Sequence, residues 1–172
     1  MLLNSKSVAN ILKESKHSKR TQIGIDLSVC KVEKIVEGGL LLTDKTVLDP
    51  SFYIELPEDK FPEEVGGYEE YAGRIGWKLM KGTYSLTFNE GVEIPEGTTG
   101  FILQRSSIYR MGNTICSPVW DPGFKTEQMG TTLIVNNTFF LEKNARIAQF
   151  FLHQNMPVDE LYDGQWQDKV NY

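Results

Sequence analysis

The chain has 172 residues, is 40% hydrophobic and 24% charged, and carries a formal net charge of -5. Those values suit a single domain, residues 1–172, large enough to bury a core without disulfide or metal staples. The acidic balance argues against a nucleic-acid partner, whose surface is usually basic, while leaving room for a small anion held by a few clustered arginines.

Residues 4–15 predict one good helix, with Asn4 or Ser5 as cap and Val8, Ile11 and Leu12 at helical spacing. Lys13 to Arg20 is basic and polar and reads as a loop. From Thr21 onward the pattern changes to short strands between Gly, Pro and Asp residues: Gly24–Val29, Leu40–Leu42, Thr83–Phe88, Gly100–Gln104, Thr131–Val135 and Ala145–Leu152. Without a βαβ rhythm or an internal repeat, this predicts an all-β barrel or sandwich, jelly rolls included. Glu55 to Glu70 holds seven carboxylates, two prolines and a Gly66-Gly67 pair, and is expected to be an acidic surface insertion. Residues 157–172 read as a polar C-terminal arm that a bound ligand would order. No apolar run is long enough to span a bilayer and the start is not leader-like, so a cytoplasmic protein with no membrane partner is expected. Cys30 and Cys116 fit no metal-ligand spacing and are expected to be reduced and partly buried.

Chemistry concentrates in two short stretches. Arg105-Ser-Ser-Ile-Tyr-Arg110 follows the apolar strand and brings together two guanidiniums and two hydroxyls, donors suited to phosphate oxygens. Ten residues later, Asp121-Pro-Gly-Phe124 sets a carboxylate beside a tight turn. Pro-Gly favours the central positions of a type II turn, where glycine supplies the positive φ. Together they suggest a nucleoside triphosphate site in which the protein activates water. In the late strand, Arg146 and Gln149 fall on opposite faces unless a bulge intervenes, so at most one should reach a ligand.

Gly24-Ile-Asp-Leu27, Arg105 to Arg110, Asp121 to Phe124 and Arg146-Ile-Ala-Gln149 occur in the order that characterises the dUTPase and dCTP deaminase superfamily. Met1-Leu-Leu and Tyr162-Asp-Gly-Gln-Trp-Gln167 resemble the deaminase branch and its archaeal dUTPase relatives. The resemblance implies a jelly-roll-like barrel with a short N-terminal helix, a homotrimer with sites between subunits, and Mg2+ carried by the triphosphate rather than by a protein metal site.

For the site, it implies a dUTP pyrophosphatase. Asp121 activates the water, and Arg105, Ser106, Ser107, Arg110, Gln149, Gln167 and Lys169 hold phosphates. The main chain around Ile115, Cys116, Ser117 and Val119 reads the base, Phe124 meets the sugar, and Asp26 supports them. Deaminases of this branch carry a glutamate in a Leu-Glu pair of the strand after the Asp-Pro-Gly turn. The corresponding position here, after Leu133, is Ile134, which cannot move a proton. Glu127 is expected near the tip of the intervening hairpin. A dCTP deaminase, mono- or bifunctional, and a non-catalytic nucleotide-binding regulator are the alternatives.

Overall fold

The computed structural model describes residues 1–9, 11–37, 42–43, 46–47, 52–56, 59–60, 74–156, 158–164 and 167. Asn4 caps the first element, its Oδ1 accepting the Lys6 and Ser7 amides at 3.1 Å each. Helix α1 runs only over Ser5–Ala9, not over the predicted residues 4–15. Leu12–Lys13 instead forms strand β1, paired with Val92 and Gly91. The apolar spacing is met by burial, since Val8 and Leu12 both enter the core, and a distant strand takes the backbone that a helix would have used.

The strands that follow are β2 (Lys19–Arg20), β3 (Ile25–Glu37), β4 (Leu42–Thr43), β5 (Thr46–Val47), β6 (Phe52–Glu55) and β7 (Asp59–Lys60). Next come β8 (Ile75–Leu79), β9 (Gly82–Phe88), β10 (Gly91–Glu93) and β11 (Thr98–Gln104). A one-turn helix α2 (Ser106–Arg110) precedes β12 (Thr114–Cys116), β13 (Lys125–Thr126), β14 (Gly130–Val135), β15 (Phe139–Glu142) and β16 (Arg146–Gln154). The all-β expectation holds. The predicted Leu40–Leu42 strand is met only at Leu42; Leu40 and most of the acidic stretch 55–70 lie outside the described residues. Among the described residues, no helix is long and apolar enough to cross a membrane.

The main sheet has the order β11-β16-β3-β9-β14-β12, with β2 and β6 also pairing β3. It nearly closes on itself. The Ile115 amide donates to Gln104 Oε1 at 3.3 Å, joining its two edge strands. Beyond β12 the chain returns along β11, where Gly100 and Trp120 exchange main-chain hydrogen bonds of 2.9 and 3.1 Å. Glycine is needed there: a Cβ on Gly100 would lie 2.7 Å from the Phe150 ring and 3.0 Å from Trp120 Cβ.

Inside the barrel, Ile25, Leu27, Val29, Leu86, Leu133, Phe150 and Leu152 are fully buried. Strand β3 is covered on both faces over Ile25 to Val29. Ile25, Leu27 and Val29 face the core, while the alternate Asp26 and Ser28 are also buried. That second, polar cover belongs to the candidate site.

Candidate active site

Arg105 leaves the end of β11, and its amide donates to the Ile147 carbonyl of β16 at 2.8 Å. Its Nε lies 3.3 Å from Oδ2 of the buried Asp26, and its Nη1 donates to the Arg146 carbonyl at 2.7 Å. The register of β16 on β3 shifts between Arg146 and Ala148, the bulge that the sequence left open. Gln149 therefore turns toward Asp26, its register partner, while the Arg146 side chain is exposed and reaches the His17 carbonyl at 3.4 Å.

These residues line a pocket of about 450 Å³ formed by Asp26, Gln104, Arg105, Ser106, Gln149 and the Lys19–Gln22 segment. Cations outnumber the single carboxylate in this lining. The donor set, amides, hydroxyls and guanidinium, matches phosphate oxygens. Ser107 and Arg110 do not line it; both are exposed on α2, which is anchored through Ile108, 1% exposed. Lys19, Arg20, Thr21 and Gln22 were missed by the sequence reading. The available signal was the basic run ending one residue before Thr21, which β2 folds onto Asp26 by the pairing Lys19↔Asp26.

The Asp121 turn forms elsewhere. Gly123 has φ 88°, and the Phe124 amide donates to the Asp121 carbonyl at 3.1 Å, as Pro-Gly chemistry predicts. The Asp121 side chain is exposed. Phe124 is only 5% exposed, because Trp120 and Tyr162 pack edge-on against it with ring centroids 5.2 Å away in each case. The C-terminal segment docks here too. The Tyr162 amide donates to the Pro122 carbonyl at 2.8 Å, and Gln167 bridges the Gly123 carbonyl and the Lys125 amide at 3.0 and 3.3 Å. Lys169 lies outside the described residues.

Of the predicted base readers, Ile115 is buried with its amide bonded to Gln104, and the Cys116 carbonyl accepts Thr131 Oγ1 at 2.6 Å. Ser117 Oγ accepts the Trp120 indole N–H at 3.0 Å, and Val119 is 54% exposed. The thiols differ from expectation: Cys30 is half-buried as foreseen, but Cys116 is exposed. Ile134 sits mid-strand in β14 opposite Thr114 and Thr83, 36% exposed. Glu127 lies beyond the start of that strand, exposed and ion-paired with Lys13.

Trp120 pairs with Gly100, four residues before Gln104, so at roughly 3.3 Å per residue the Asp121 turn stands about 13 Å or more from the pocket along β11. In one copy of the chain the pocket and the Asp121 turn are thus apart.

Residues 12–155 match the dCTP deaminase-like family. The chain belongs to this family. It is 34% identical over 146 residues to a probable deoxyuridine 5'-triphosphate nucleotidohydrolase of Aeropyrum pernix, covering 84% of this chain and 82% of that one. Over 169 residues it is 28% identical to the deoxyuridine 5'-triphosphate nucleotidohydrolase of Methanocaldococcus jannaschii, covering 98% and 100%. Among solved structures, the fold is similar to the 2'-deoxycytidine 5'-triphosphate deaminase of Agrobacterium tumefaciens, with a TM-score of 0.59 at 14% identity. That likeness covers 87% of this chain but spans only 45% of the deaminase. The EIAV dUTPase gives a TM-score of 0.50 at 12% identity, covering 90% and 98%. The family resemblance and the dUTPase-like fold of the sequence reading are both met.

Proposed function

We propose that this protein is a dUTP pyrophosphatase, hydrolysing dUTP to dUMP and pyrophosphate as a homotrimer. The observation that carries the reading is the cationic pocket of Asp26, Arg105, Ser106 and Gln149 in a dCTP deaminase-like chain whose relatives are named for dUTP hydrolysis. The separation of this pocket from Asp121 supports sites assembled between copies, with the phosphate grip from one chain and the Asp121 turn from another.

In that assembly Asp121 orients a water and takes its proton as the oxygen attacks the α-phosphorus. The bond from that phosphorus to the bridging oxygen breaks, and the electron pair leaves with pyrophosphate. Arg105 balances charge on the phosphates and Ser106 donates a hydrogen bond to them, while Ser107 and Arg110, exposed on α2 outside the pocket, would join them only as α2 closes on the bound triphosphate. Mg2+ would be carried by the substrate, where it would neutralise charge on the phosphates; the pocket's single carboxylate among cations and amides fits a metal held by phosphate oxygens rather than by a protein cage. Gln167 and Lys169 close the arm over the triphosphate, which requires Gln167 to leave Gly123 and Lys125. Ser117 and Val119 offer main-chain groups to uracil, and Phe124, enclosed by Trp120 and Tyr162, braces the turn; it would meet deoxyribose only once the Tyr162 segment moves aside. A soluble nucleotide substrate fits a cytoplasmic enzyme.

Ile134 favours hydrolysis over deamination, since an apolar side chain there cannot carry protons between water and the amine. Incubation of pure protein with Mg2+ and either dUTP or dCTP, followed by separation of products, tests the assignment. Pyrophosphate and dUMP from dUTP are expected; ammonia and dUTP from dCTP would replace it with the deaminase, and no turnover of either would leave the regulator.

A further inference from the structure

At 0% exposure, Glu90 is buried more deeply than any other charged side chain among the described residues, and it does not line the pocket. Its Oε1 accepts the hydroxyls of Ser15 and Ser18 at 2.7 Å each and of Ser28 at 2.8 Å, while Oε2 accepts the Ser28 amide at 2.9 Å. A carboxylate removed from water persists only when such donors replace its hydration. The arrangement is therefore built, and its partners adjoin two walls of the pocket in the chain.

Ser28 lies two residues beyond Asp26 on β3, on the same face. Ser15 and Ser18 form the turn that feeds β2. The Ser15 amide donates to Ser18 Oγ at 2.8 Å, the His17 amide to Ser15 Oγ at 3.1 Å, and the next residues are Lys19 and Arg20 of the lining. Thr21 then receives the Gln149 side-chain amide on its Oγ1 and donates to the Gly24 carbonyl at 2.9 Å. Glu90 thus joins the Asp26 strand to the segment that carries Lys19 and orients Gln149.

We propose that Glu90 is a positioning residue of the phosphate pocket, setting the spacing between the Lys19–Gln22 wall and the Asp26–Arg105 wall without touching the ligand. This rests on reading the pocket as the phosphate site. β2 is also held to β3 by the pairings Lys19↔Asp26 and Arg20↔Ile25, which do not involve Glu90, so a change at Glu90 is expected to displace the wall rather than remove it. In Glu90→Gln one carboxylate oxygen becomes an NH2 donor, which faces either the Ser28 N–H donor-to-donor or, flipped, the three hydroxyls that now donate to Oε1, and the clamp loosens either way.

The test uses the full chain, with inorganic tripolyphosphate and Mg2+ in a calorimetric titration, alongside dUTP kinetics and thermal melting. Glu90→Gln is expected to raise the tripolyphosphate Kd and the dUTP KM about tenfold, with kcat within about threefold of wild type. The double variant Ser15→Ala/Ser18→Ala keeps the Ser28 bonds and should shift both constants the same way, by less. A purely structural role would lower the melting temperature and leave the split between KM and kcat untouched. Folded variants with wild-type tripolyphosphate affinity overturn the positioning role alone, and if Glu90→Gln does not fold, the serine variant decides by the same measure. Failure of the wild type to bind tripolyphosphate overturns the phosphate reading, and this inference with it.

Discussion

Arg105 and Asp26 meet at 3.3 Å between two strands that are not neighbours in the sheet, with β16 lying between them. The contact spans the bulged end of β16, where the Arg146 carbonyl accepts a second nitrogen of the same guanidinium. One Arg105 nitrogen is thus committed to a carboxylate and one to a carbonyl, which fixes the plane of the guanidinium. Its remaining donors are left for an anion. Arg105→Lys keeps the charge but cannot reproduce this fork. It is expected to raise the dUTP KM about tenfold or more, as for loss of a charge-assisted hydrogen bond of about 1.5–3 kcal/mol. A KM within twofold of wild type would remove Arg105 from phosphate binding.

Asp121→Asn should keep the fold and substrate affinity and lower kcat by about 10²- to 10⁴-fold, the usual worth of a positioned base. The Asp121 side chain is exposed and its turn is held by main-chain bonds, so among the described residues no structural contact depends on the carboxylate. Steady-state hydrolysis with matched melting curves checks this. Turnover within threefold of wild type would assign the base elsewhere.

How far the sequence announced these sites depended on whether the cause was local. The Asp121 turn was legible because Pro122 and Gly123 carry their own dihedral preferences, and φ at Gly123 follows. The strands from Thr83 and Gly100 were legible from composition and bounding turns. Three features needed partners distant in the chain. Leu12 leaves the predicted helix because Val92 pairs with it. Phe124 turns inward because Trp120 and Tyr162 enclose it. Lys19 and Arg20 join the pocket because β2 lies on Asp26 and Ile25. Glu90 was invisible for the same reason: no local pattern says that three serines will close around it.

Asn113 is 1% exposed and ties the segment after α2 to the β14–β15 turn. Its Oδ1 accepts the Asn136 and Asn137 amides at 2.9 Å each, and its Nδ2 donates to the Asn137 carbonyl at 3.1 Å. Asn113→Ala leaves these main-chain groups without partners. A loss of about 2 kcal/mol or more in urea unfolding is expected, from about 1–3 kcal/mol per unsatisfied buried group. A loss below about 0.5 kcal/mol would show that water replaces the side chain.

The two thiols should separate by rate. Cys116 is exposed, whereas burial pushes the Cys30 thiol pKa up and its sulfur is engaged with the Thr87 carbonyl and the Gln128 amide at 3.4 Å each. A raised pKa lowers the thiolate fraction at any pH below it, so Cys30 reacts slowly and gains speed as pH rises. With a disulfide reagent at pH 8, one fast and one slow equivalent are expected, and Cys116→Ser should abolish the fast one. Two equally fast thiols would contradict the burial of Cys30.

Subunit mixing gives the sharpest test of shared sites. Light scattering should first report a particle of about three times the 19.6 kDa chain mass, the closed trimer. Asp121→Asn and Arg105→Ala should each be nearly inactive alone, because each removes one half-site from every active site. Mixed subunits differ. Where an Arg105→Ala chain supplies its intact Asp121 to the pocket of an Asp121→Asn chain, that site is whole. Random exchange of equal amounts should place such a pair at about one site in four, and restore that fraction of wild-type turnover. The separation of about 13 Å or more along β11 between the pocket and the Asp121 turn is what motivates this expectation. No recovery after verified exchange would mean that Asp121 and Arg105 of the same chain serve one site, and the assembly between copies would have to be abandoned.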